Sequence, residues 1–277
     1  EHAVTRSVRD CAALLDATGG HALGDPYSAP PPARPFLAEA AAEPGRLKIA
    51  FTARTGSAAV VDADCRQALS EAAKLLGGLG HDVAEADPGV DGEAAWATFV
   101  TLVSANMRVV LGSHPDKNRF PNPDEIEKVT WATAKLGESV TGEAYVRATQ
   151  ATHKLGRDMA RFHETYDVLV TPGLATPPVK LGWLDMMMDD VREYWRRIAH
   201  FTPFSVWFNL SGQPAMTLPM GRTAAGLPLS IQIVGRHGDE ATLFRLAAQI
   251  EAAKPWAKDV PAVVERHLAG QRAAARG

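Results

Sequence analysis

The stretch from Phe201 to Gly235, FTPFSVWFNLSGQPAMTLPMGRTAAGLPLSIQIVG, decides the fold. It opens on an aromatic run and passes through Asn209-Leu-Ser-Gly-Gln-Pro214. Two short apolar segments, Ala215–Pro219 and Leu229–Val234, follow around a turn bounded by Gly221 and Gly226. Segments this short, fenced by Gly and Pro and carrying Ile, Val, Leu and Met, read as buried strands rather than helices. The connection leaves no room for a helical crossover, so the two are expected to pair antiparallel.

Upstream the pattern changes. Leu47–Thr52 reads as a strand, Asp62 opens a helical stretch with Ala68, Leu69, Ala72, Leu75, Leu76 and Leu79 on one side, and Val83–Ala86 reads as a second strand. That order predicts a parallel βαβ unit with a right-handed crossover. The loop Thr52–Ser57 holds a single glycine, without the spacing that brings a backbone against a pyrophosphate, which argues against nucleotide binding. Helices are also expected over Val4–Ala17, Glu93–Leu111, Asp124–Leu136, Gly142–Phe162 and from Asp239, with Thr141 placed to cap the fourth of these. Asp167–Val170 reads as a buried strand running into Thr171-Pro172. The strands and helices together read as an α/β protein. Residues 1–260 read as part of one domain and 261–277 as an Ala- and Arg-rich tail.

Composition narrows the functions. The 277 residues are 46% hydrophobic and 22% charged, ordinary for a chain with a sizeable core. A formal net charge of −3 supplies no basic surplus for nucleic acid or an anionic membrane. No uninterrupted apolar run reaches the ~18 residues of a membrane span, and Glu1–Arg6 lacks the charged-then-apolar order of a secretory leader. Cys11 and Cys65 stand in helical patterns, as small buried residues of a reducing cytoplasm would. The nine histidines include no pair at i and i+4, and His114, in the loop Gly112–Pro123, has no second ligand at metal spacing.

The residues Asn209, Leu210, Gly212, Pro214, Ala215, Leu218, Pro219, Gly221, Gly226, Leu227, Pro228, Gln232 and Gly235 match, in register, the C-terminal pattern N-L-x-G-x-P-A-x-x-L-P-x-G followed by G-L-P-x-x-x-Q-x-x-G. On these positions the chain resembles the amidase signature hydrolases. TRSVRDCAALLDATGG near the start, Gly24-Asp25-Pro26-Tyr27 with its proline run, and YDVLVTPGLATPPVKLG from Tyr166 are similar to family segments too. The resemblance runs over roughly residues 3–256.

That resemblance implies an α/β fold with one mixed β-sheet and helices on both faces, here incomplete, and amide C–N hydrolysis without metal or cofactor. A nucleophilic serine is deprotonated through a bridging cis-serine by a lysine kept neutral by burial, and backbone N–H groups hold the oxyanion. In the family these groups lie N-terminal to the T-R-S-V helix, so no catalytic residue is expected within 1–277. The chain is expected to be the C-terminal portion of such an enzyme, inactive alone. Nor does it offer a G-x-S-x-G elbow, an S-x-x-K or an H-E-x-x-H of its own.

Substrate contacts are expected at Thr171, Pro172 and Gly173, where a chain leaving a strand's C-terminal end lines a crevice. The resemblance adds Ser104 and Asn106, which serve equally as local hydrogen-bonding residues of their helix. It also adds the aromatic run Phe201, Thr202, Phe204 and Trp207, for which core packing is an equal reading. Relatives that use glutamine place a carboxylate upstream of the Asn. Its absence from Phe201–Phe208 implies a neutral or apolar small-molecule amide as substrate. The exposed faces and open strand edge of such a portion imply association, with a second copy or with the N-terminal portion.

Overall fold

The computed structural model describes residues 2–113, 119–259 and 264; His114 and the tail expected over 261–277, apart from Val264, lie outside them. The chain forms two compact units, one from the described parts of residues 1–45 and 244–277, the other from those of residues 46–243.

In the first unit, α1 (Val8–Thr18) begins where Ser7 accepts the Asp10 amide through its side chain. The chain then runs through the proline-rich stretch without regular structure to a single turn, α2 (Phe36–Glu39). Asp16 of α1 holds that turn by accepting the Phe36 and Leu37 amides, at 2.6 and 2.8 Å. A helix start leaves such N–H groups without partners, and a carboxylate there answers both the hydrogen bonds and the positive dipole end. Glu39 is buried and takes a two-pronged bond from Arg34 and a third contact from Arg245.

The second unit carries the sheet. β1 (Lys48–Phe51), α3 (Ala63–Gly78) and β2 (Asp82–Glu85) form the expected parallel unit, with Asp62 capping α3. The helices α4 (Gly92–Gly112), α5 (Lys128–Leu136) and α6 (Gly142–Thr165) lead to β3 (Val168–Pro172). Thr141 caps α6 as expected, accepting the Ala144 amide. By length and composition α4 is apolar enough to cross a bilayer; here it packs against α5, α6 and α8 (Ser205–Ser211). β4 (Ala215–Arg222) and β5 (Pro228–Val234) pair antiparallel, and the sheet order is β2-β1-β3-β5-β4, parallel across β2-β1-β3 and antiparallel beyond.

Two helices depart from the sequence expectation: α7 (Val191–Phe201), in a stretch read as neither helix nor strand, and α8, in the aromatic run. Pro203 stands before the first turn of α8, where a missing N–H costs nothing, and Gly212 ends it at φ 75°, a left-handed conformation that a side chain disfavours. What drives this short helix is burial: Phe204, Val206, Trp207 and Phe208 are enclosed. α5 also begins later than expected, at Lys128. α9 (Glu240–Ala253) starts within the second unit, where Leu243 packs over Gly235.

Candidate active-site face

Alternation along β3, β4 and β5 gives this end of the sheet two unlike faces. Val170, Leu218, Met220, Ile231 and Ile233 fill one face with buried apolar side chains. The other carries Thr171, Gln232 and Thr217, brought side by side because the register sets Thr171 opposite Gln232 and Gln232 opposite Thr217. Gln232 donates from Nε2 to Thr171 Oγ1 at 3.5 Å, and Thr171 Oγ1 donates to the Pro172 carbonyl at 3.1 Å. Thr171 and Gln232 are buried, yet on edge strand β4 Ala215, Thr217 and Pro219 of the same face are exposed. The row therefore runs from the interior to an open surface.

Gly173 lies one step along. Its N–H donates to the Ser230 carbonyl at 3.0 Å, and a Cβ there would meet Ser230 Oγ at 2.3 Å and Thr217 Cγ2 at 3.3 Å. The following residues are pinned from two sides: Ala175 donates to the Phe201 carbonyl at 3.0 Å and accepts from the Asp62 amide at 2.7 Å. Thr171, Pro172, Gly173 and the Phe201 backbone are thereby held in one connected segment. Of the polar row, Thr217 reaches the surface, while Thr171 and Gln232 are buried behind it.

The remaining sequence candidates fall elsewhere. Phe204 and Trp207 are fully buried and pair edge-on with centroids 5.5 Å apart; Trp207 packs on Phe208 at 6.1 Å. The indole Nε1 of Trp207 has no hydrogen-bond partner. Thr202 Oγ1 donates to the Ile198 carbonyl of its own helix, and the Phe201 ring meets Trp183 edge-on. Ser104 is buried and donates to the Thr101 carbonyl, while Asn106 is exposed and donates to the Leu102 carbonyl. Both side chains thus return to helix α4. Gln232, Thr217 and Ser230 were not singled out as contacts from sequence. Their signal was the period-two recurrence of Ser230 and Gln232 inside an apolar strand, which gains meaning only once Thr171 and Thr217 are known to flank it.

Among the described residues no group of three His, Cys, Asp or Glu side chains is placed to hold a metal ion.

Comparison with known proteins identifies the scaffold. The family model for amidases matches residues 3–244. The chain belongs to the amidase family. It is 36% identical over 271 residues to the putative amidase AmiB2 of Mycobacterium bovis, covering 94% of this chain and 53% of that protein. It is 32% identical over 265 residues to the 6-aminohexanoate-cyclic-dimer hydrolase of Paenarthrobacter ureafaciens, covering 91% and 53%. A solved structure of 6-aminohexanoate cyclic dimer hydrolase superposes with a TM-score of 0.83 at 30% identity, over 94% of this chain and 56% of that one. The chain spans about half the length of the curated relatives it matches.

Proposed function

We propose that residues 1–277 form the substrate-holding part of an amidase that hydrolyses neutral amides, with nucleophile, bridging serine and lysine supplied by polypeptide outside them. The observation that carries this reading is the row Thr171–Gln232–Thr217, polar groups aligned across three strands and opening at β4, in a chain of amidase ancestry. A neutral substrate fits that row, which offers hydroxyl and amide groups and no carboxylate to neutralise an ammonium. The likeness to 6-aminohexanoate-cyclic-dimer hydrolases supports a neutral, linear or cyclic amide as the substrate class.

The uncovered face of β4 supports a second element of the reading: this surface is covered by association, with a second copy or with the polypeptide carrying the nucleophile. No cofactor enters the reaction, and the two free thiols, Cys11 and Cys65, favour the cytoplasm as its place.

The test is hydrolysis of 6-aminohexanoate cyclic dimer and of p-nitroacetanilide by residues 1–277 alone and by the same residues joined to a serine–serine–lysine segment. The joined form is expected to release product, and the isolated residues none. Turnover by the isolated residues would overturn the division of labour. Inactivity of a folded, joined form on both amides would overturn the amidase reading. Light scattering on residues 1–277 tests association, and a clean monomer would remove it.

A further inference from the structure

The sheet ends on two unlike edges, β2 and β4. β2 is four residues long and carries the exposed acids Asp82 and Glu85. A short, charged edge of this kind resists pairing with another chain. β4 is eight residues long, and its first half, residues 215–219, carries no charge.

The ladder to β5 fixes which backbone groups of β4 remain free. Gly235 donates to the Pro214 carbonyl at 3.0 Å, and the register sets Met216 opposite Ile233 and Leu218 opposite Ile231. Along an antiparallel pair, residues that bond to the partner strand alternate with residues that do not. Pro214, Met216 and Leu218 are therefore the positions turned to β5, and Ala215, Thr217 and Pro219 direct their backbone groups away from it. Among the described residues nothing bonds the N–H of Ala215 or of Thr217. Pro219 has no N–H to offer, and a register shift between Pro219 and Gly221 interrupts the regular spacing there. The open stretch is thus short and bounded, with two donors, at 215 and 217, and the carbonyls of 215, 217 and 219.

Side chains set the second requirement. Ala215, Thr217 and Pro219 are exposed on the face of the polar row, whereas Leu218 and Met220 are buried on the other face. A strand laid along β4 stands about 4.8 Å from it, with alternate side chains on the two faces. One of them then lies beside Thr217, at the surface end of the row, and its neighbours extend the apolar side. Because Thr217 both ends the row and offers an edge donor, whatever pairs with this edge also borders the row.

We propose that residues 215–219 take up a short extended segment of the polypeptide that carries the nucleophile, held by the N–H groups of Ala215 and Thr217. The segment alternates, with apolar residues on the side of Leu218 and a small or polar residue beside Thr217. This inference rests on the division of labour proposed above. The match covers 53% of the putative amidase AmiB2, so close to half of such a relative lies outside it and can supply the segment. A second copy on this edge would bring another polar row and no group to attack an amide.

Amide hydrogen exchange read by NMR, in residues 1–277 alone and in the form joined to the serine–serine–lysine segment, tests the proposal. In the isolated residues the Ala215 and Thr217 amides should exchange as free amides, while those of Met216 and Leu218 are protected by β5. In the joined form protection of Ala215 and Thr217 should rise by on the order of a hundredfold or more. Ala215→Pro removes one outward donor and leaves the ladder whole, as Pro219 already does at an equivalent position. It should leave the urea midpoint of the isolated residues unmoved and lower Thr217 protection in the joined form by about tenfold, the loss of one hydrogen bond. Turnover by a joined form whose Ala215 and Thr217 amides stay free would overturn this proposal and leave the amidase reading standing. Protection without turnover would support the proposal and count against that reading. Protection in the isolated residues that rises with their concentration would give the edge to a second copy and overturn the proposal.

Discussion

A Cβ placed on Gly173 would stand 2.3 Å from the Oγ of Ser230 on the neighbouring strand. No real contact is that close, and Ser230 Oγ sits on a short, hindered side chain beside Thr217. Gly173→Ala should therefore cost about 2 kcal/mol of stability through overpacking. Ser230→Gly in the same chain should return about half of that, since it removes the atoms in the way while loosening β5. Urea unfolding of the two single variants and the double variant measures the coupling. Additive costs would show that the two positions do not meet.

Glu39 is the second place where one side chain fixes a unit. Hydrogen bonds from Arg34 pull its carboxyl from an ordinary 4.5 down to about 2, with Arg245 adding to the effect and burial opposing it. A carboxylate whose folded pKa is depressed contributes stability above its unfolded pKa and loses it as pH falls through the folded value. The contribution, at most about 3 kcal/mol, should thus be whole at pH 7 and vanish between about pH 4.5 and 2. Glu39→Gln should lower the melting temperature at pH 7, and the gap to the unaltered chain should close on acidification. A gap that persists at pH 2 would mean that packing, not charge, carries the effect.

The fate of these residues shows what sequence conveys here. β4, β5 and the β1-α3-β2 unit were legible because short apolar segments between glycines, and a long segment of helical period, are imposed by burial against one neighbour. α8 was not, because Val206 and three aromatic residues disfavour a helix locally, and only enclosure of Phe204 and Trp207 reverses that preference. Thr171 was legible as the end of a strand. Its partners Gln232 and Thr217 were not, since register across three strands is a property of the folded sheet. Ser104 and Asn106, chosen for polarity within an apolar helix, turn out to bond their own backbone, and sequence cannot tell that use from contact with a ligand.

The thiols offer a test of the core. Burial raises the Cys65 pKa to about 11, with Asp62 and Asp64 adding to it, so almost no thiolate exists at pH 8. Its side chain is also enclosed in α3. Cys11 is only half-buried and its pKa is raised by partial burial. Iodoacetamide at pH 8, followed by mass spectrometry, should modify Cys11 first and Cys65 only at the rate of unfolding. Comparable rates for the two in folded protein would show that α3 opens locally.

Trp207 separates a substrate wall from a core. Its ring is enclosed between Phe204 and Phe208, so Trp207→Ala should cost about 3–5 kcal/mol. Its indole N–H, however, has no acceptor, and Trp207→Phe removes that orphaned donor together with part of the ring. Relief of an unpaired buried group, worth about 1–3 kcal/mol, offsets much of the lost packing. Trp207→Phe should therefore cost less than about 1.5 kcal/mol, with an unchanged denaturant slope. A wall residue would behave in the opposite way: both variants would keep the denaturation midpoint and lower amide turnover in the joined enzyme. The enclosure of the ring predicts that the midpoint moves, and an unmoved midpoint would return Trp207 to the substrate.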